Sequence, residues 1–135
     1  MYQQMIFVNL ATNDVDASRK FFTELGYTIN PQFSTDGCTC VVISDTIIAM
    51  FLSKQRYSDF TKKEIADSTK TSEVLVCLSA ESREKVDELV NKAVAAGGTA
   101  NDDVQDQGFM YGRSFEDLDG HSWEVVWMDP AAVQG

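Results

Sequence analysis

Glu124 stands inside the run Trp123-Glu-Val-Val-Trp127, where a carboxylate among bulky apolar side chains reads as facing a cavity, a metal or a partner charge. Three residues earlier, His121, the only histidine, follows the acidic turn Asp117-Leu-Asp-Gly120. Its parity is opposite to that of Glu124, so it reads as a surface turn residue and not as a ligand. Cys38-Thr-Cys40 puts two sulfurs on one face of a strand, but a zinc site wants four ligands and no second cysteine pair is near. Cys77 makes the count three, an odd number that argues against a disulfide framework. The first ten residues have neither a charged n-region nor a long apolar core, so neither a signal peptide nor a spanning helix is expected. Reduced thiols in the cytoplasm, serving as small core residues, are the expectation.

The elements that must position Glu124 begin with a hairpin. Apolar runs on either side of Asp117-Leu-Asp-Gly120 read as two strands, with Asp-Gly supplying the positive φ of the reversal. Tyr111 and Arg113 share one face of its first strand, Met110 and Ser114 the other, and alternation alone does not say which face lines a pocket. A strand over Glu73–Ser79 comes before it, followed by a helix with Val86, Leu89, Val90, Ala93 and Val94 at helical spacing and Gly97-Gly98 as its stop. A short strand near Thr99–Val104 completes the order βαβββ. That order also occurs at the N-terminus. Met5–Thr12 alternates as a strand, with Phe7, Asn9 and Ala11 on one face. Asn13 or Asp14 caps a helix whose apolar side is Val15, Phe21, Phe22 and Leu25, and Gly26 ends it. Strands follow at Tyr27–Asn30, Gly37–Ser44 and Thr46–Ser53.

The repeat predicts an α+β fold: paired βαβββ modules, residues 1–53 and 72–129, whose strands form one curved, mixed, eight-stranded sheet with the helices outside. Residues 54–71 carry five of the eleven basic residues and read as a solvated linker with one helical turn at most. A net charge of −10 on 135 residues opposes binding to nucleic-acid phosphates, and the 44% hydrophobic content suffices for a core.

Phe7-Val-Asn-Leu-Ala-Thr-Asn-Asp14 with Glu24-Leu-Gly-Tyr27, and Asp117-Leu-Asp-Gly-His-Ser-Trp-Glu124, resemble the opening and closing motifs of the vicinal oxygen chelate superfamily. That superfamily includes glyoxalase I, bleomycin- and fosfomycin-resistance proteins and extradiol dioxygenases. Leu118 replaces the usual proline of the closing motif. The resemblance covers nearly the whole chain and implies a cavity bordered by both modules. In catalytic members four inward side chains hold a divalent metal, which polarises two neighbouring substrate oxygens while a carboxylate moves a proton. Matched strand by strand, those positions fall on Phe7, Met50, Glu73 and Glu124. A phenyl ring and a thioether leave such a site half built.

The resemblance therefore implies a protein that binds a hydrophobic small molecule, with Phe7, Asn9, Met50, Leu52, Leu75, Tyr111 and Arg113 as the candidate lining and no complete metal centre. The alternative is a divalent-metal-dependent, glyoxalase-like lyase or related enzyme in which Glu73 and Glu124 are catalytic. A homodimer is the implied assembly, with neither nucleic acid nor membrane as partner.

Overall fold

A computed structural model of the chain describes residues 1–132. It has two compact units, Met1–Asp67 and Ser68–Gly135. Among the described residues, no helix is long and apolar enough to cross a membrane.

The first unit runs β1 (Ile6–Thr12), α1 (Val15–Glu24), β2 (Thr28–Ile29), β3 (Cys38–Val42), β4 (Ile47–Ser53) and the single turn α2 (Lys54–Tyr57). Its sheet has the order β1-β4-β3-β2, with β1 parallel to β4 and the other pairs antiparallel. Asp14 caps α1 by accepting the Ala17 N–H at 3.0 Å, and Gly26 ends the helix at a φ of 103°. The helix buries Val15, Ser18, Phe21 and Phe22. Phe22 meets Phe51 of β4 with ring centroids 4.6 Å apart, and Thr39 of β3 donates its hydroxyl to the Val15 carbonyl. These contacts fix the two faces of the sheet. Leu10, Thr39, Val41 and Phe51 lie toward α1, so alternation sends Phe7, Asn9, Cys38, Cys40, Met50 and Leu52 to the face away from it.

The second unit runs β5 (Leu75–Ser79), α3 (Arg83–Ala95), β6 (Thr99–Ala100), β7 (Gln105–Asp106), β8 (Met110–Glu116) and β9 (Ser122–Met128). The order is β5-β9-β8-β6, with β7 also on β8 and β5 parallel to β9. The single strand read near Thr99–Val104 is thus two short pieces. Between them Asn101 bends the chain by accepting the Asp103 N–H on its side chain at 3.1 Å. The class is α+β with two βαβββ modules. The nine strands among the described residues fall into sheets of four and five, where the sequence reading drew eight along one sheet.

The stripe on α3 also needs correction. Val86, Val90 and Ala93 are fully buried, Leu89 is half-buried, and Val94 is 47% exposed. At about 100° per residue Val94 lies about 80° around the helix from Val86, outside the narrow strip that a single sheet covers. Cys38 and Cys40 are buried as expected, but Cys77 is exposed.

Candidate functional site

The turn between β8 and β9 is built on Asp117. Its Oδ1 accepts the backbone N–H groups of Asp119 and His121, each at 3.0 Å, and its Oδ2 accepts the Trp123 indole N–H at 2.9 Å. Gly120 has a φ of +86°, and a Cβ there would stand 3.0 Å from the Ser68 carbonyl oxygen, so only glycine fits both the turn and the segment lying over it. His121 Nδ1 is 2.9 Å from Ser68 Oγ. The histidine is therefore a half-buried fastening between turn and segment, not the surface residue read from sequence. Burial pushes the Asp117 carboxyl up, against the opposing pull of His121 and of its three N–H donors.

That anchored turn sets the register of β9. Glu124 lies between Ser114 of β8 and Cys77 of β5, and Phe115, Trp123, Val125 and Leu78 fill the opposite, buried face toward α3. Loss of hydration pushes the Cys77 thiol up, and the neighbouring Glu124 charge adds to the effect. The Glu124 carboxylate has no side-chain hydrogen bond or ion pair among the described residues. It opens instead onto two adjoining hollows of about 290 and 310 Å³ that share Asn101, Ser114 and Glu124. Met110, Gly112 and Val126 extend one end, Leu75, Glu116 and Ser122 the other. Gly112 makes room: a Cβ there would meet Val126 Cγ2 at 3.1 Å.

Hairpin register decides which face lines the groove. Met110 and Ser114 share the Glu124 face, whereas Tyr111 and Arg113 turn toward α3. Tyr111 donates its hydroxyl to Asp87 Oδ1 at 2.7 Å and Arg113 Nη1 reaches the same oxygen at 3.0 Å. These two bonds hold the Asp87 carboxyl below the usual range. Arg113 touches the groove, but its charge is directed to the helix side.

Glu73 is misplaced by the sequence reading. It lies exposed, two residues ahead of β5, and the residue level with Glu124 is Cys77. With Met50 matched to Glu124 as the resemblance implies, the parallel pairs Asn9↔Met50 and Cys77↔Glu124 correspond, and the counterpart of Phe7 is then Leu75, not Glu73. In the first unit Phe7, Asn9, Met50 and Leu52 do share one face.

A divalent metal does not fit the four expected positions. With Leu75 in place of Glu73, the set is Phe7, Met50, Leu75 and Glu124, and Glu124 alone offers a hard donor. A different set, Asp117, Asp119 and His121, has ligand atoms within 4.8 Å of one another. Both Asp117 oxygens already accept N–H donors there, which ties that carboxylate to the turn.

Comparison with known proteins follows the same lines. Residues 4–44 match a family model described as bleomycin resistance protein-like N-terminal. No curated protein matches the sequence. A hypothetical protein, SA1046 from S. aureus, is 28% identical, with 94% of each chain covered and a TM-score of 0.78. A glyoxalase/bleomycin resistance protein/dioxygenase family enzyme from Burkholderia phytofirmans PsJN is 17% identical over 93% of this chain and 99% of that one, with a TM-score of 0.76. The fosfomycin resistance protein FosX from Listeria monocytogenes is 18% identical over 94% and 92% of the two chains, with a TM-score of 0.66. With its two βαβββ modules the chain has the fold of these glyoxalase/bleomycin-resistance/dioxygenase proteins, and its residues 4–44 are similar to the bleomycin resistance protein-like N-terminal family.

Proposed function

We propose that this protein binds a small molecule with an apolar body in the groove around Glu124, and that it does so without a complete metal centre. The observation that carries the reading is a mid-strand carboxylate with no side-chain partner among the described residues, facing a hollow floored by Gly112 and flanked by Met110 and Val126. A strand position inside a sheet is a costly place for an unpaired acid unless something binds against it. Leu75 and Met110 give the groove apolar walls, and Ser114 and Asn101 give it hydrogen-bonding groups to orient a ligand. The protein works as a homodimer in the cytoplasm. The three free thiols are in keeping with a reducing compartment, and Ile6 and Phe7, 57% and 58% exposed on the edge strand β1, suit contact with a second copy. Sedimentation equilibrium tests the assembly, and a monomer at all concentrations refutes it.

Metal analysis of protein purified without a histidine tag, followed by calorimetric titration with 1-naphthylmethanol, tests the binding reading. Substoichiometric metal and saturable uptake of the naphthyl compound are expected. Tightly held, stoichiometric metal that Glu124→Gln abolishes would overturn it in favour of the metal-dependent lyase.

A further inference from the structure

We infer that the groove selects an organic cation: an ammonium or guanidinium group on an apolar or aromatic body, with the charged head against Glu124. This rests on the binding reading above and adds the ligand's charge to it. Three carboxylates line the two hollows, Asp103, Glu116 and Glu124. Glu116 is diagonal to Glu124 across the β8–β9 pair, because Ser114 is opposite Glu124 and Glu116 is opposite Ser122. None of the three forms an ion pair among the described residues. Arg113 is the single cationic residue in the lining, and its guanidinium is bound to Asp87 on the other side of the sheet.

The hollow and its charge are separate observations that point the same way. Gly112 and the bend at Asn101 create space, which would serve a ligand of any charge. The lining then sets the sign. An anionic head would meet three carboxylates with no cation free to answer them, whereas an ammonium would donate its N–H groups to the Glu124 carboxylate and restore a local balance. Glu124 is the centre of this arrangement because it is the half-buried one, where solvent screens least, while Asp103 and Glu116 are exposed and act over a longer range. The apolar walls at Leu75, Met110 and Val126 take the body.

The experiment titrates the intact protein with three compounds of one shape: 1-naphthylmethylammonium, 1-naphthylmethanol and 1-naphthoate. The ammonium should bind about tenfold more tightly than the alcohol at low salt, and the carboxylate more weakly than either. Raising the salt to about 1 M should shrink that preference, because the Debye length falls to about 3 Å. Glu124→Gln should bring the cation-to-alcohol ratio close to one, and Glu116→Gln should lower it by a smaller factor, which keeps the test alive if the first variant folds poorly. Equal affinity for all three compounds, or a preference for naphthoate, overturns the cation inference and leaves groove binding intact. A cation preference untouched by either variant overturns its assignment to these carboxylates. Binding of none of the three overturns the groove reading and this inference together.

Discussion

The two sheets share a topology and present opposite surfaces. Away from α1, the first sheet shows Phe7, Met50, Leu52, Cys38 and Cys40, with Asn9 as its polar group on β1. Away from α3, the second shows Glu124, Ser114, Ser122 and Glu116. Met50 and Glu124 occupy equivalent registers, each beside the parallel first strand of its module. The helix-facing sides, by contrast, are alike: Leu10 and Phe51 in one, Leu78 and Val125 in the other, all buried. Packing constrains one face of each sheet to stay apolar, while the other is free to differ. The module that carries a charged groove is thus identified by its open face alone.

The sharpest way to break this comparison is to spoil the helix-facing side of the second module. Val90→Asp places a charge where the side chain is 0% exposed, and it should cost about 4 kcal/mol or more. Val94→Asp, one turn on and 47% exposed, should stay within about 0.5 kcal/mol. Chemical denaturation of both variants provides the measurement. Equal losses would mean that α3 does not pack as described.

A smaller effect separates the two hairpin turns. Asp117→Ala removes the acceptor of three N–H groups, one of them the indole of a Trp123 that is 1% exposed, and should cost about 2–4 kcal/mol. Asp45→Ala, in the exposed turn between β3 and β4, should change little. Thermal melts of the pair would show whether the acidic turn of the second module is structural in this way. A melting point for Asp117→Ala within a degree or two of the parent would argue that it is not.

Periodicity made most of this architecture legible in the sequence. The caps at Asp14 and Gly26, the hairpin around the acidic turn, and the shared face of Phe7, Asn9, Met50 and Leu52 all follow from local chemistry and alternation. What alternation could not supply was where a strand begins. Glu73 and Leu75 have the same parity, so a strand started two residues early points the same way and still selects the wrong residue; only the pairing of Cys77 with Glu124 resolves it. Tyr111 and Arg113 were ambiguous for the same reason. Their face is decided by Asp87, on a helix more than twenty positions earlier. Gly112 gave no signal at all, because a glycine in a strand shows its use only once Val126 is known to stand opposite.

That glycine offers the next test. Gly112→Val would put branched carbons into the space where a Cβ already meets Val126 Cγ2 at 3.1 Å, narrowing the hollow from its floor. Overpacking should cost about 1–2 kcal/mol, and naphthylmethanol affinity should fall by about tenfold, the larger loss being in binding. Titration calorimetry at a temperature well below the melting point separates the two effects. Unchanged affinity would place the ligand away from the floor of the groove.

The smallest expected effect concerns the clamp between α3 and β7, on the helix-facing side of the second sheet. Arg83, at the start of α3, holds Asp106 of β7 through two bonds of 2.9 Å and lies over the rings of Tyr111 and Trp127 at 5.1 and 5.2 Å. Its hydrogen bonds, helped by the Gly108 N–H, bring the Asp106 carboxyl down to about 2. An aspartate whose folded value lies below its unfolded value binds fewer protons when folded than when unfolded, so its contribution is complete above about pH 4. It is lost as the pH falls through about 2. Because both partners are largely in water, the contribution is slight. The first module has surface pairs such as Arg56–Asp59, only three residues apart on one turn, and these tie no strand to a helix. Asp106→Asn should therefore flatten the acid limb of the stability curve between about pH 4 and pH 2 relative to the parent, with little change at neutrality. Asp59→Asn should leave that limb as it was. Parallel acid limbs for parent and Asp106→Asn would mean that β7 is held to β8 by its ladder alone, without help from α3.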